Sequence, residues 1–266
     1  MKLEILHCQP PAKAKGSHPP LLFVHGSYCG AWIWNEFTLA HMAKKGYAAY
    51  AVSLRGHGGS EGQLTWASLE DYLADVAAAA GQLDAPPVVI GHSMGGIVAQ
   101  HYASSGAALA GMVLMASVPP SGLASSALHL SSFAPDVLWQ LGLLQSLGPK
   151  AVTPDIIHRA FFSAETPPEA VAPLLPKLQP ESHRISAELL CPPQPMPRLG
   201  EQALPCLVLG GDADVFLPIS AFRETATFWH ADLEILHGAP HGLMLDHHWR
   251  QPSADAILAW LAKKGL

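Results

Sequence analysis

The chain has 266 residues, of which 49% are hydrophobic and only 14% charged, and 15 Lys and Arg against 21 Asp and Glu leave a formal charge of −6. That length predicts one large domain, or one domain carrying an insertion, with a substantial core. The negative balance and the lack of any Lys/Arg cluster argue against nucleic acid as a partner, while the low charge leaves apolar surface for function or for homo-oligomer contacts.

Met1-Lys-Leu-Glu-Ile-Leu-His7 has no apolar stretch of secretory-signal length, and no run approaches a transmembrane helix. Leu3–His7 reads as a first strand and 10–20 as a loop. Leu21–His25 is a buried strand ending in His25-Gly26. A helical pattern spans Ala31–Lys45, stopped by Gly46, and Tyr47–Ser53 is the next strand. Arg55-Gly-His-Gly-Gly-Ser60 is a glycine-rich turn. Ser68 is placed to cap a helix running to about Leu83. Pro87-Val-Val-Ile-Gly91 is a strand that leads through His92-Ser93-Met94-Gly95-Gly96 into a helix, and Leu109–Ala116 is a further strand. Later, Ala203–Gly210 and Leu233–His237 are strands separated by a helix over Pro218–Trp229. Asp246 is expected to cap a last helix ending near Lys264, with His247-His248 facing solvent. Alternating strands and helices predict a mostly parallel, doubly wound α/β sheet.

Residues 119–200 break this alternation. They hold 14 of the 24 prolines and show no strand pattern. Helices are expected over Pro135–Leu147, Pro154–Phe162 and Glu169–Lys177. The segment reads as a helical cap inserted into a core formed by 1–118 and 201–266; its Leu, Phe and Trp content is too high for a disordered linker.

The chemistry concentrates at Gly91-His-Ser93-Met-Gly95. Gly-x-Ser-x-Gly recurs by chance, but here it joins a strand to a helix, which places a serine at the apex of a strained turn beside a helix N-terminus. Gly91 and Gly95 are expected to flank it because side chains there would collide with its own. A serine hydroxyl needs a base, and the base needs an orienting acid. Two loops after later strands offer candidates: Gly210-Gly-Asp212-Ala-Asp214-Val-Phe-Leu-Pro218 and His237-Gly-Ala-Pro-His241-Gly242. Cys8, Cys29, Cys191 and Cys206 have no metal or redox spacing and read as free thiols in a reducing cytoplasm, and the fifteen histidines do not fall at metal-ligand spacing.

Five motifs in order then resemble the alpha/beta-hydrolase superfamily: His25-Gly26, Leu54-Arg55-Gly56-His57-Gly58, the Ser93 elbow, Gly211-x-x-Asp214-x-x-x-Pro218 and His241-Gly242. The resemblance covers roughly 21–118 and 203–264. It implies that Ser93 is the nucleophile, His241 the general base and Asp214 the acid. Asp212 then braces its loop and His237 ends a strand, while His25 and His92 are structural. It also implies an oxyanion hole made by the backbone N–H groups of Ser27 and Met94. Ser53 stands where similar chains often carry Asp. Ser27–Trp34 resembles small plant methylesterases and hydroxynitrile lyases; Phe161–Glu165 and Leu178–Ser182 resemble capped bacterial esterases and lysophospholipases.

The function implied is a cofactor-free serine hydrolase acting on a small-molecule carboxylic ester or thioester. Carbon–carbon hydrolysis, cofactor-free lyase chemistry and a ligand-binding receptor are the alternatives on the same fold. No dinucleotide or phosphate loop follows a strand, which argues against nucleotide chemistry. Between 119 and 149 the only Asp, Glu, Lys or Arg is Asp136, so the helix over 135–147 is apolar nearly all round. Phe133 and Trp139 are the expected substrate contacts from the cap, the competing expectation being that such side chains fill the cap's own core.

Overall fold

A computed structural model describes residues 1–11, 18–197 and 203–266. Most of the loop expected over 10–20, and the boundary expected at 200/201, lie outside them. Seven strands form one sheet: β1 (Ile5–Cys8), β2 (Leu21–Val24), β3 (Ala49–Val52), β4 (Val88–His92), β5 (Gly111–Met115), β6 (Cys206–Gly211) and β7 (Asp232–Leu236). Their order is β1-β3-β2-β4-β5-β6-β7. Only β1 is antiparallel to its neighbour. The central strands β2, β4, β5 and β6 are buried along their whole length, which is why they read as continuous apolar runs rather than alternating ones.

Helices cover the sheet. Before β5 these are α1 (Trp32–Asn35), α2 (Thr38–Lys44), α3 (Leu69–Ala80) and α4 (Met94–Ser104). The single helix expected over 31–45 is two, because Phe37 at φ −152° and ψ −50° interrupts the helical backbone. Ser68 does cap α3: its side chain accepts from Asp71 N, and the Asp71 carboxylate accepts from Ser68 N, a reciprocal box worth about 1 kcal/mol.

Between β5 and β6 the described residues form helices and turns only: α5 (Ala124–Phe133), α6 (Pro135–Leu147), α7 (Pro154–Phe161), α8 (Pro168–Val171) and α9 (His183–Glu188). α5 and α9 were not expected. The helix expected over 169–177 is instead α8 and a separate 3-10 turn at Leu175–Lys177, with Pro173, which has no N–H to donate, between them. Two small apolar clusters hold this insertion together, one around Leu130, Val137 and Ala160 and one around Ile157, Phe162 and Val171. Ile185 and Leu189 of α9 reach the main core.

The chain ends with α10 (Ile219–Trp229), β7 and α11 (Arg250–Lys264). Asp246 does not cap α11 directly. It is fully buried in the turn before it, accepting from His248 N and Trp249 N and, across the molecule, from Ser163 N and Thr166 Oγ1 of the insertion. Those donors hold its carboxyl below the usual range although burial, the largest single influence, pushes it up. Among the described residues no helix is long and apolar enough to cross a membrane.

Candidate active site

The carboxyl ends of β2, β4, β6 and β7 lie along one edge of the sheet, where parallel α/β folds collect their ligands. Ser93 follows β4 directly. Its backbone is at φ 53° and ψ −117°, a left-handed conformation that a side chain disfavours. Such strain persists only where neighbours fix it. Here Ser93 N donates to Met115 O at 3.1 Å, and Ser93 O accepts from Gly96 N at 3.0 Å and Val118 N at 3.1 Å. The flanking glycines are required for a different reason from the one expected. A Cβ on Gly91 would strike the Gly95 carbonyl, and one on Gly95 would lie 2.5 Å from the His25 and Val24 carbonyls of the neighbouring strand. Gly26 is the residue that must clear Ser93 itself: an added Cβ would sit 3.1 Å from Ser93 Cβ and 2.9 Å from His92 Nδ1.

His241 lies in the loop after β7 and is buried. Its Nδ1 is 2.7 Å from Asp214 Oδ2. The other Asp214 oxygen accepts from Phe216 N at 2.8 Å and Leu217 N at 3.0 Å, so the carboxylate cannot turn away from the ring. Asp212 is placed elsewhere: it accepts from Gly238 N and pairs with His237, whose side chain is 90% exposed. Asp212 thus braces the β7 turn at the surface. His92 Nε2 lies 3.0 Å from the His241 carbonyl and pins the His241 loop to the elbow. Burial, then the neighbouring His241, holds His92 well below the ordinary histidine range. His25 donates from Nδ1 to Gly26 O at 2.8 Å and accepts at Nε2 from Leu54 N at 3.0 Å. Burial, followed by His57, lowers it to about 3. Ser53 Oγ donates to Glu4 and accepts from Ala31 N, a structural link between β3 and the turn before α1.

Ser27, Ser93, His92 and His241 share the wall of one cavity of about 350 Å³, within the usual range for small-molecule sites. The Ser27 hydroxyl donates to Met94 Sδ at 3.3 Å, which sets those two residues side by side at the start of α4. The rest of the lining is mostly apolar, and none of it is Asp, Glu, Lys or Arg. Phe161 and Phe216 set their rings edgewise against His241, at centroid distances of 5.6 and 4.8 Å. One polar cluster interrupts the apolar wall, where Gln145 Oε1 accepts from Tyr28 OH at 2.7 Å and from Ser186 Oγ at 2.8 Å.

Phe133 and Trp139 are not part of this cavity. Their side chains face out, 77% and 69% exposed. On α6 the cavity is met by Leu138, Leu141, Gly142 and Gln145, a stripe at i, i+3, i+4 and i+7, while Val137 and Leu144 pack into the insertion. Trp139 follows Leu138 by one residue, about 100° round the helix, and so points away. Phe133 ends α5 beyond the cavity, its ring against His129. Tyr28, Gln145, Phe161 and Phe216 are site residues that sequence reasoning missed; α6 is apolar nearly all round, so no spacing along it singles out Gln145.

All four cysteines are free thiols, and burial followed by the Glu181 charge pushes Cys29 up to about 12. Among the described residues no cluster of three or more His, Cys, Asp or Glu could hold a metal.

A family model described as "Alpha/beta hydrolase family" matches residues 21–254. Protein phosphatase methylesterase 1 from Bos taurus is 38% identical over 98 residues, 35% of this chain and 26% of that protein. A non-heme haloperoxidase from Rhodococcus erythropolis is 37% identical over 108 residues, 40% of this chain and 39% of that protein. The chain thus aligns with well under half the length of these relatives. Among solved structures, a putative non-heme bromoperoxidase from Mycobacterium tuberculosis superposes with a TM-score of 0.73 at 22% identity, covering 99% of this chain and 97% of that one. A thermophilic esterase from Thermogutta terrifontis gives 0.72 at 20% identity, covering 98% and 93%. At these identities the structures share the fold. With its sheet order, its elbow serine and a family match that runs from β2 into α11, the chain belongs to the alpha/beta hydrolase family.

Proposed function

We propose that the protein is a serine hydrolase that cleaves a neutral, largely apolar carboxylic ester through an acyl-enzyme on Ser93. The observation that carries this reading is the pairing of His241 with Asp214 on the wall of the cavity that also exposes the strained Ser93. With Nδ1–H given to Asp214, the ring keeps its lone pair on Nε2, the state a general base requires. Ser93 Oγ attacks the ester carbonyl as its proton passes to His241 Nε2. The N–H groups of Ser27 and Met94 take the developing oxyanion, the second being the free first donor of α4. The tetrahedral adduct collapses as His241 returns the proton to the departing alcohol. Water then attacks the acyl-enzyme by the same route and releases the acid.

The lining favours a neutral, apolar acyl or alcohol portion, since a buried substrate charge would find no counter-charge among the cavity residues. The insertion between β5 and β6 acts as the cap, because it supplies more than half of that lining, from Leu123 through α5 and α6 to Phe161 and the Ser186–Leu190 stretch. Relatives named for methylesterase and esterase activity support ester chemistry. Labelling with a fluorophosphonate tests the reading. Ser93→Ala should abolish the label and lower turnover of a p-nitrophenyl ester by several orders of magnitude. Labelling that persists on another serine would end it.

A further inference from the structure

The turn that carries Ser27 is held from the insertion. Tyr28, the next residue, has φ 65°, a conformation unfavourable for any residue with a side chain. Both of its backbone groups are taken by one short segment of the insertion. Tyr28 N donates to Glu181 Oε2 at 3.3 Å, and Tyr28 O accepts from Gln179 N at 2.8 Å. The same segment reaches the Arg55–Gly59 turn, where Gln179 Oε1 accepts from Gly58 N at 2.6 Å.

Glu181 is itself unusual. It is 4% exposed, no Lys or Arg forms a salt bridge with it among the described residues, and the ring of His57 lies beside it, with Nε2 3.3 Å from Oε2. Oε1 accepts from Tyr72 OH at 2.7 Å and from Ser182 N at 2.7 Å. Burial pushes its carboxyl up, yet His57, Tyr72 and the Ser182 N–H outweigh this and hold it below the usual range. A buried carboxylate of this kind contributes little net stability compared with an apolar replacement. What it does is join three parts of the molecule: α3 through Tyr72, the glycine-rich turn through His57, and the Ser27–Tyr28 turn.

We infer that Glu181 is a positioning residue for the oxyanion turn, fixing the strained Tyr28 peptide so that the neighbouring Ser27 N–H stays aimed at the developing charge. The inference rests on the reading of Ser27 as an oxyanion donor. Loss of the Glu181 contact lets the φ 65° turn relax, and the N–H of Ser27 swings with it. The defect then appears in the transition state and not in ground-state binding, because Glu181 does not line the cavity.

The test compares wild type, Glu181→Ala and Glu181→Gln on one p-nitrophenyl alkanoate. It also uses an alkyl trifluoromethyl ketone, which adds Ser93 Oγ to form a hemiketal oxyanion, and the unreactive n-alkanol of equal length. The expected result is a fall in kcat of about 10- to 100-fold, somewhat less than for loss of a donor itself, with KM within about threefold. Ketone affinity should fall by the same factor as kcat/KM, while alkanol affinity is unchanged. The glutamine variant should show a smaller loss in the same pattern, because its amide can still offer one acceptor; it is read by the same ratios if the alanine variant does not fold. Unchanged kcat with a lowered Tm, or equal losses of ketone and alkanol affinity, would overturn the inference. A wild-type protein that forms no ketone adduct on Ser93 by mass spectrometry would instead overturn the hydrolase reading, and this inference with it.

Discussion

Asp214→Asn isolates the electrostatic part of the site from its packing. Asn can keep its Oδ1 on the N–H groups of Phe216 and Leu217, at 2.8 and 3.0 Å in the parent, so the loop should hold its shape. The amide nitrogen then replaces Oδ2 at 2.7 Å from His241 Nδ1. A donor there forces Nδ1 to accept, which moves the ring proton to Nε2. Histidine in that tautomer cannot take a proton from Ser93. A wrong tautomer in a triad costs about 10⁴-fold in kcat, equivalent to roughly 5 kcal/mol of barrier. Asp212→Asn is the control. Its partner His237 is 90% exposed, and exposed pairs are worth about 0–1 kcal/mol, so turnover should stay within roughly fivefold of the parent. Steady-state kinetics of both variants on one ester, with Tm measured alongside, decides the matter. An Asp214→Asn enzyme within about tenfold of wild type, or an inactive Asp212→Asn enzyme, would refute the assignment of the acid.

Two further outcomes are expected. Leu141→Ala should change the kcat/KM ratio of a medium-chain to an acetyl ester by about 10-fold, the order of 1–3 kcal/mol for apolar pocket contacts, whereas Trp139→Ala should leave it unchanged because that ring faces solvent. Equal responses, measured on a graded series of esters, would contradict the helix orientation. Stability should fall as pH drops below 6.5. His25 is depressed to about 3 and His92 well below the ordinary value of 6.5, so the unfolded chain binds protons in that window while the folded one does not. The loss from His25 between pH 6.5 and 5 lies between about 1 and 2 kcal/mol, because its unfolded form is half protonated at pH 6.5 and the slope reaches about 1.4 kcal/mol per pH unit only below that; His92 adds to the loss in the same direction. Urea titrations that give the same unfolding free energy at both pH values would refute this.

The sequence by itself determined the sheet and the positions of the chemical groups at its edge. β4 with its elbow, the Asp214 loop after β6 and the His241 loop after β7 each carry a local signature: an apolar run, a glycine turn and a polar residue at a fixed offset. Ser68 likewise announced α3, because a cap is a contact between residues three apart. The cavity wall was legible only in outline. α6 is apolar round most of its circumference, so its sequence does not say which stripe meets the site; that depends on where the helix is set down on the core, and Leu138 and Trp139 differ only by a turn of about 100°. Glu181 was equally hidden. Its partners Tyr72 and Tyr28 lie 109 and 153 residues away, and the need for them arises only once the carboxylate is buried. Local periodicity fixes what an element is, whereas the burial of a polar group among distant neighbours is decided when the elements pack.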